Sequence, residues 1–242
     1  DTCGQPRTCP HSHSIMAKVT IIGATGNVGT FAAHTIAEIP YVSEILLVGR
    51  NGRENLLCGI AQDMKDAFAA CGNYTELNWT TELSDIADSD IVICAAGNAR
   101  QAGQDRLDLA LSNARIVASM SREISRYSPC AVIMMVTNPV DVMTSVALRY
   151  SGFEPSHVFG LGTHLDSMRL KSLIAAFFKV HVSEVHTRII GEHGDSMVPL
   201  WSATTIGGIQ ISNLPAFSGL PVAEMVETVK TSGEQIIRNK GS

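Results

Sequence analysis

Between Ile189 and Pro199 the chain reads Ile-Ile-Gly-Glu-His-Gly-Asp-Ser-Met-Val-Pro, which places His193 between Gly191 and Gly194. Flanking glycines let the backbone turn sharply and leave an imidazole in a cleft. Upstream, Asp166 and Arg169 are three residues apart, a spacing that puts both on one face of a helix. An imidazole that titrates near neutral pH, a carboxylate to orient it and a guanidinium to grip an anion make a proton-transfer site for an acidic substrate. A loop histidine beside a surface ion pair would use the same residues, so the elements around them decide.

Those elements alternate. Val19–Ile22, Glu44–Val48, Ile91–Cys94 and Ala131–Val136 read as buried strands, and Leu77–Thr80 as a weak edge strand. Helical spacing covers Val28–Ile39, Glu54 to about Ala70, Leu107–Tyr127 and Val140 to about Arg149. Strands and helices in this alternation build a parallel sheet covered on both faces. After Gly160 the rhythm changes to a helix near Thr163–Phe178, one strand over Val185–Ile190, the histidine loop, and a last helix near Val222–Arg238. The change of rhythm divides the chain into one domain over 16–158 and a second over 159–242. Residues 1–15 show no periodicity and no signal-peptide core, and read as an unstructured leader or cloning remnant. Cys3, Cys9, His11 and His13 fit no common zinc spacing, so no metal is expected.

Bulk composition narrows the partners. At 242 residues, 45% apolar and 17% charged, the chain has the make-up of an ordinary globular protein. A net charge of −5 argues against nucleic acid or an anionic membrane as partner, and no apolar run could span a bilayer. Cys58, Cys71, Cys94 and Cys130 fall in apolar segments and read as buried thiols of the cytoplasm.

Gly23-Ala24-Thr25-Gly26-Asn27-Val28-Gly29 lies between the first strand and first helix. There, glycines permit a tight turn and a close backbone approach to a pyrophosphate seated on the helix N-terminus. The second strand ends in Val48-Gly49-Arg50, with Arg53 close behind, where a carboxylate would hold an adenosine ribose. A guanidinium there can pair with a 2′-phosphate, which predicts NADP acceptance with NAD also used. Ala95-Ala96-Gly97 offers a second backbone approach, and Thr137-Asn138-Pro139 puts an amide at the carboxyl edge of the sheet. Arg100 and Arg106 flank Gly103, as in a lid that closes over an anion.

With these motifs in order, the chain resembles the lactate/malate dehydrogenase family. The resemblance rests on the glycine loop, Ala95-Ala-Gly97, the two lid arginines, Val136-Thr-Asn-Pro-Val140, Gly160-Leu-Gly-Thr-His-Leu-Asp-Ser-Met-Arg169 and Gly191-Glu-His-Gly-Asp-Ser196. The glycine spacing and the Gly49-Arg50 strand ending are most similar to archaeal malate dehydrogenases that accept NADP. The resemblance implies a Rossmann-type doubly wound parallel sheet followed by an α+β substrate domain. That second domain would be incomplete, because family members continue past the last helix of this chain.

The resemblance also implies roles. His193 would be the proton donor and acceptor, and Asp166 its orienting carboxylate. Arg169 would bind the substrate C1 carboxylate, Arg106 would polarise the carbonyl, and Asn138 would bond near the reacting carbon. Asn113 and Val136 would join the glycine loop, Arg50, Gly97 and Asn138 around the cofactor. Arg100 stands where lactate dehydrogenases carry Gln, which implies malate and oxaloacetate as substrates. A homodimer or homotetramer is implied as well. Lactate dehydrogenase remains the alternative enzyme, and a truncated NADP(H)-binding module without turnover the alternative non-enzyme. A short-chain reductase is excluded, since no tyrosine here precedes a lysine by four residues.

Overall fold

The computed structural model describes residues 16–98 and 106–240. The expectations for residues 1–15 and for Arg100 lie outside them. Two compact units divide the chain, the first running to Gly160 except for Pro139–Asp141, which group with the residues from Leu161 onward.

The first unit is built on strands β1 (Ala17–Ile22), β2 (Val42–Val48), β3 (Glu76–Thr80), β4 (Ile91–Cys94), β5 (Val132–Met135) and β6 (Val158–Gly160). All pair in parallel, in the order β3-β2-β1-β4-β5-β6. Helices α1 (Asn27–Ile36), α2 (Glu54–Cys71), α3 (Arg106–Tyr127) and α4 (Val140–Ser151) connect them. Side chains alternate across a strand, and here both sets are buried. Val19, Ile21, Ile45 and Leu47 pack with Ala33 of α1 and Leu57, Ala61, Met64 and Phe68 of α2. The intervening Thr20, Leu46, Val48 and Val92 are buried as well. A sheet covered on both faces is what near-continuous apolar strands require. The strand order reverses between β1 and β4, the point at which such sheets bind ligands beyond the strands' carboxyl ends.

The second unit packs α5 (Thr163–Phe178) against α6 (Val222–Lys240), with Leu170, Ile174, Val185, Ile189, Ile206, Ile211, Met225 and Val229 in one core. Between the helices lie short strands β7 (Val185–His186), β8 (Ile189–Ile190), β9 (Val198–Pro199), β10 (Thr205–Ile206) and β11 (Ile209–Gln210). The single strand expected over Val185–Ile190 is therefore split. Val185 and His186 pair with β10, whereas Ile189 and Ile190 pair with β9. The break falls at Thr187, whose buried hydroxyl is 2.9 Å from that of Thr204.

Of the four cysteines expected to be buried thiols, only Cys94 is; Cys58 and Cys71 are exposed thiols, and Cys130 is exposed and disulfide-bonded. Cys58 and Cys71 occupy the solvent side of amphipathic α2, so an apolar local sequence did not mean an interior position. Burial pushes the Cys94 thiol up to about 12, which leaves it inert. Among the described residues, no helix is long and apolar enough to cross a membrane.

Candidate active site

At the carboxyl end of β1, Gly23 and Ala24 both donate main-chain hydrogen bonds to Val48, and Gly26 donates back to Gly23 at 3.1 Å. Gly23 has φ +93°, and a Cβ there would lie 2.6 Å from the Ala96 nitrogen. One at Gly29 would lie 2.5 Å from the Gly23 oxygen. These two glycines are demanded by the protein's own backbone. Gly26 differs, because its Cβ would meet only the Gly23 oxygen at 3.4 Å, an ordinary contact. Gly26, Asn27 and Val28 are exposed, whereas Ala24 and Gly29 are buried and Thr25 lies between. Gly26 caps α1 without a side-chain bond, and the first turn carries no carboxylate. An uncapped helix end with open space before it attracts an anion, so the loop fits a pyrophosphate.

Arg50 and Arg53 are exposed at the carboxyl end of β2, in a turn closed by Arg53 donating to the Arg50 carbonyl at 3.2 Å. Glu54 accepts from the Gly52 N–H at 2.8 Å, and main-chain hydrogen bonds hold its carboxyl below its usual range.

Four more residues expected around the cofactor, Gly97, Asn113, Val136 and Asn138, meet near the ends of β4 and β5. Asn113, on α3, is 1% exposed. Its Oδ1 accepts from the Asn98 N–H at 2.8 Å, and its Nδ2 donates to the Asn138 carbonyl at 2.8 Å. Thr137 donates to the Ala96 carbonyl at 2.8 Å, and Val136 bonds Cys94 through its main chain. A Cβ on Gly97 would lie 2.5 Å from the Thr137 methyl group. Gly97 and Asn113 thus join two loops of the protein, while the Asn138 residue stays exposed. Asn113 occupies a buried position in a stripe with Leu109 and Val117. A polar residue in an apolar stripe is the signal that marks such a clamp.

In the second unit, Asp166 sits in the first turn of α5 and is completely buried. Its Oδ2 accepts from His193 Nδ1 at 2.6 Å, and its Oδ1 accepts from Arg169 Nη1 at 3.1 Å. The His193 and Arg169 side chains are each 20% exposed. One buried carboxylate therefore fixes both groups and leaves the imidazole's Nε2 as the nitrogen able to exchange a proton. The hydrogen bond to Asp166 raises the His193 pKa, reinforced by the charges of Asp166 and Asp141. Burial and the Arg169 charge act in the opposite direction.

Around this trio the loop is held at several points. Gly191 has φ +94°, whereas Gly194 lies outside the positive-φ region, so one glycine rather than two makes the sharp turn. Ser167, 1% exposed, donates to the Thr163 carbonyl and accepts from the Ile189 N–H at 2.8 Å. Asp141, in the first turn of α4, accepts from the His193 N–H at 2.9 Å. Neither anchor is evident from the residues alone, because a serine mid-helix and an acid in a first turn are ordinary in those places. Arg106 opens α3, but its side chain, like Arg100 as a whole, lies outside the described residues.

Residues 17–160 match the family model described as lactate/malate dehydrogenase, NAD binding domain. Residues 163–242 match the lactate/malate dehydrogenase alpha/beta C-terminal domain. The malate dehydrogenase of Methanosphaera stadtmanae is 46% identical over 227 residues, covering 94% of this chain and 72% of that protein. The L-2-hydroxycarboxylate dehydrogenase (NAD(P)(+)) of Methanocaldococcus jannaschii is 50% identical over 228 residues, covering 93% and 72%. The solved structure of malate dehydrogenase from Salinibacter ruber superposes with a TM-score of 0.83 at 35% identity, covering 93% of this chain and 70% of that one.

Proposed function

The chain belongs to the lactate/malate dehydrogenase family, and from that premise we propose that it is a malate dehydrogenase interconverting malate and oxaloacetate with NADP(H) or NAD(H). The observation that carries the reading is the single buried carboxylate of Asp166 holding both the His193 imidazole and the Arg169 guanidinium. That arrangement is wasted on a structural ion pair, but it suits proton exchange on a substrate that carries a carboxylate.

Residues 16–158 would hold the nicotinamide cofactor and 159–242 would supply the acid–base chemistry. The glycine loop over 23–29 fits the pyrophosphate, with Asn138 and Val136 nearer the ring. Arg50 supports NADP, because an exposed guanidinium at the end of β2 can pair with a phosphate dianion. When bound, the reduced cofactor supplies the hydride that reaches substrate C2. Arg169 grips the C1 carboxylate in a planar two-point pair. Protonated His193 gives the proton on Nε2 to the carbonyl oxygen, and Asp166 stabilises the imidazolium beforehand and keeps its tautomer fixed. In malate oxidation the same nitrogen takes the hydroxyl proton. Arg106 polarises the carbonyl, and Arg100 pairs with the second carboxylate, whose absence in lactate would leave a charge unpaired. Family membership favours a homodimer or homotetramer.

A four-way assay tests this reading, with oxaloacetate or pyruvate as oxidant and NADPH or NADH as reductant. We expect oxaloacetate to be reduced faster than pyruvate at equal low concentration, and His193→Asn to lose turnover. Faster reduction of pyruvate would make the chain a lactate dehydrogenase. Binding of NADPH with no substrate-dependent oxidation would leave only a cofactor-binding module.

A further inference from the structure

We propose that Asp141 is a positioning residue for the catalytic histidine, setting the register of its loop through the main chain while Asp166 orients its ring. The proposal rests on the assignment of His193 as acid and base given above. The two carboxylates come from different helices and grasp different parts of one residue. Asp166 belongs to the first turn of α5 and takes the Nδ1 proton, whereas Asp141 belongs to the first turn of α4 and takes the His193 N–H at 2.9 Å.

A ring hydrogen bond alone leaves the imidazole free to pivot about that contact as the loop backbone shifts. A second bond to the same residue's main chain removes that freedom. The surroundings are built to bring the two segments together. A Cβ on Gly162, just before α5, would lie 3.3 Å from the His193 Cβ, 3.4 Å from a Val140 methyl and 3.9 Å from Asp141 Oδ1. Three stretches of chain therefore converge at Gly162, where an added Cβ would make a tight contact with the histidine. Asp141 is exposed, so water could replace it as an acceptor for the N–H. Its contribution is accordingly one of placement rather than of bond strength.

Asp141 also faces His193 as a charge. The groups around the imidazole are Asp166 and Arg169 on α5, Asp141 on α4, and the loop neighbours Glu192 and Asp195, with Glu192 engaged by Ser196 at 2.6 Å. Asp141 favours the imidazolium, as Asp166 does, and Arg169 opposes it.

Placement and charge separate in two variants. Asp141→Asn keeps an oxygen at the same distance and removes the charge. Asp141→Glu keeps the charge and moves the acceptor by one methylene. For Asp141→Glu we expect kcat to fall about tenfold with KM changed less, a size in keeping with the cost of small misplacements, and the NMR titration of the His193 imidazole to stay put. For Asp141→Asn we expect kcat within about threefold of the parent and a titration moved to lower pH. A parent-like kcat in Asp141→Glu, or an Asp141→Asn variant as slow as Asp141→Glu, overturns the proposal. Failure of the underlying assignment would look different, since His193→Asn would then turn over normally whatever Asp141 does.

Discussion

Asp166 is completely buried, and its Oδ2 lies 2.6 Å from His193 Nδ1, so the ring can exchange a proton only through its other nitrogen. The pair also sets the direction of the pH response. The folded-state pKa of His193 lies above its ordinary value of 6.5, so the imidazolium is the form that the fold favours. Oxaloacetate reduction should fall as pH rises through a pKa that lies above 6.5, while malate oxidation should rise over the same range. In Asp166→Asn the limb should move to lower pH and kcat should drop by about 10²–10⁴, the span typical of a lost general acid held in the wrong tautomer. Profiles of kcat/KM against pH for both directions check it, and an unmoved limb would detach Asp166 from the chemistry.

The same shift enters stability. A group whose pKa is raised on folding contributes stability that is complete below the unfolded value and is lost as pH rises through the folded one. The melting-temperature difference between the parent and His193→Gln should therefore be largest below about pH 6.5 and shrink on the alkaline side. A difference that grows with pH would contradict the sign.

Arg169→Lys is expected to act on substrate rather than on the fold. A lysine can still pair with Asp166, which Arg169 meets at 3.1 Å, as a point charge, but it lacks the planar fork that also grips a carboxylate. KM for oxaloacetate should rise by at least about tenfold, equivalent to 1.4 kcal/mol, with melting close to the parent. Steady-state kinetics beside a thermal melt decide this, and an unchanged KM would free the substrate carboxylate from Arg169.

Much of this architecture is legible in the residues themselves. Continuous apolar runs and helical spacing locate β1 to β5, because these strands are apolar and most are separated by full helices. β6 escaped, since Val158–Gly160 is only three residues and takes its identity from pairing with β5. The second unit read less well for a similar reason. Its strands are two residues each and exist through tertiary contacts, so the continuous apolar run from Val185 to Ile190 hides a change of partner at Thr187. At the site, His193, Asp166 and Arg169 are legible because their residue types and spacing themselves point to proton exchange and anion binding. Asp141 did not, since it acts on a main-chain N–H, to which residue type gives no clue.

Asn113 offers a test of a clamp with two ends. Asn113→Asp keeps the acceptor for the Asn98 N–H but loses the donor to the Asn138 carbonyl, placing a carboxylate against a carbonyl oxygen in a buried site. Asn113→Leu removes these bonds and the 3.3 Å bond from Nδ2 to the Asn98 carbonyl. Leaving a buried polar group unpaired costs about 1–3 kcal/mol, so both variants should melt lower, and Asp no higher than Leu despite being nearly isosteric. Calorimetry checks the order. If Asn113→Asp melts like the parent, Asn113 does not hold the two loops, and a direct cofactor contact becomes the better account of it.

The glycine loop separates fold from ligand most cleanly. Gly23→Ala forces a Cβ to 2.6 Å from the Ala96 nitrogen at a φ of +93°, and neither the contact nor the dihedral can relax without moving β4. Strain and overlap of that kind cost about 1–3 kcal/mol each, so this variant should unfold at lower temperature with or without cofactor. Gly26 has φ −89° and room for a methyl group at 3.4 Å from the Gly23 oxygen. Gly26→Ala should therefore fold as the parent does. Its new methyl group stands on the exposed side of the loop, where a pyrophosphate would press against the α1 N-terminus. We expect its Kd for NADPH, measured by cofactor fluorescence, to rise by about tenfold or more, the equivalent of 1.4 kcal/mol. Parent-like affinity in Gly26→Ala would mean that the dinucleotide does not approach the backbone at this turn, and the anion site would have to be sought elsewhere along the carboxyl edge of the sheet.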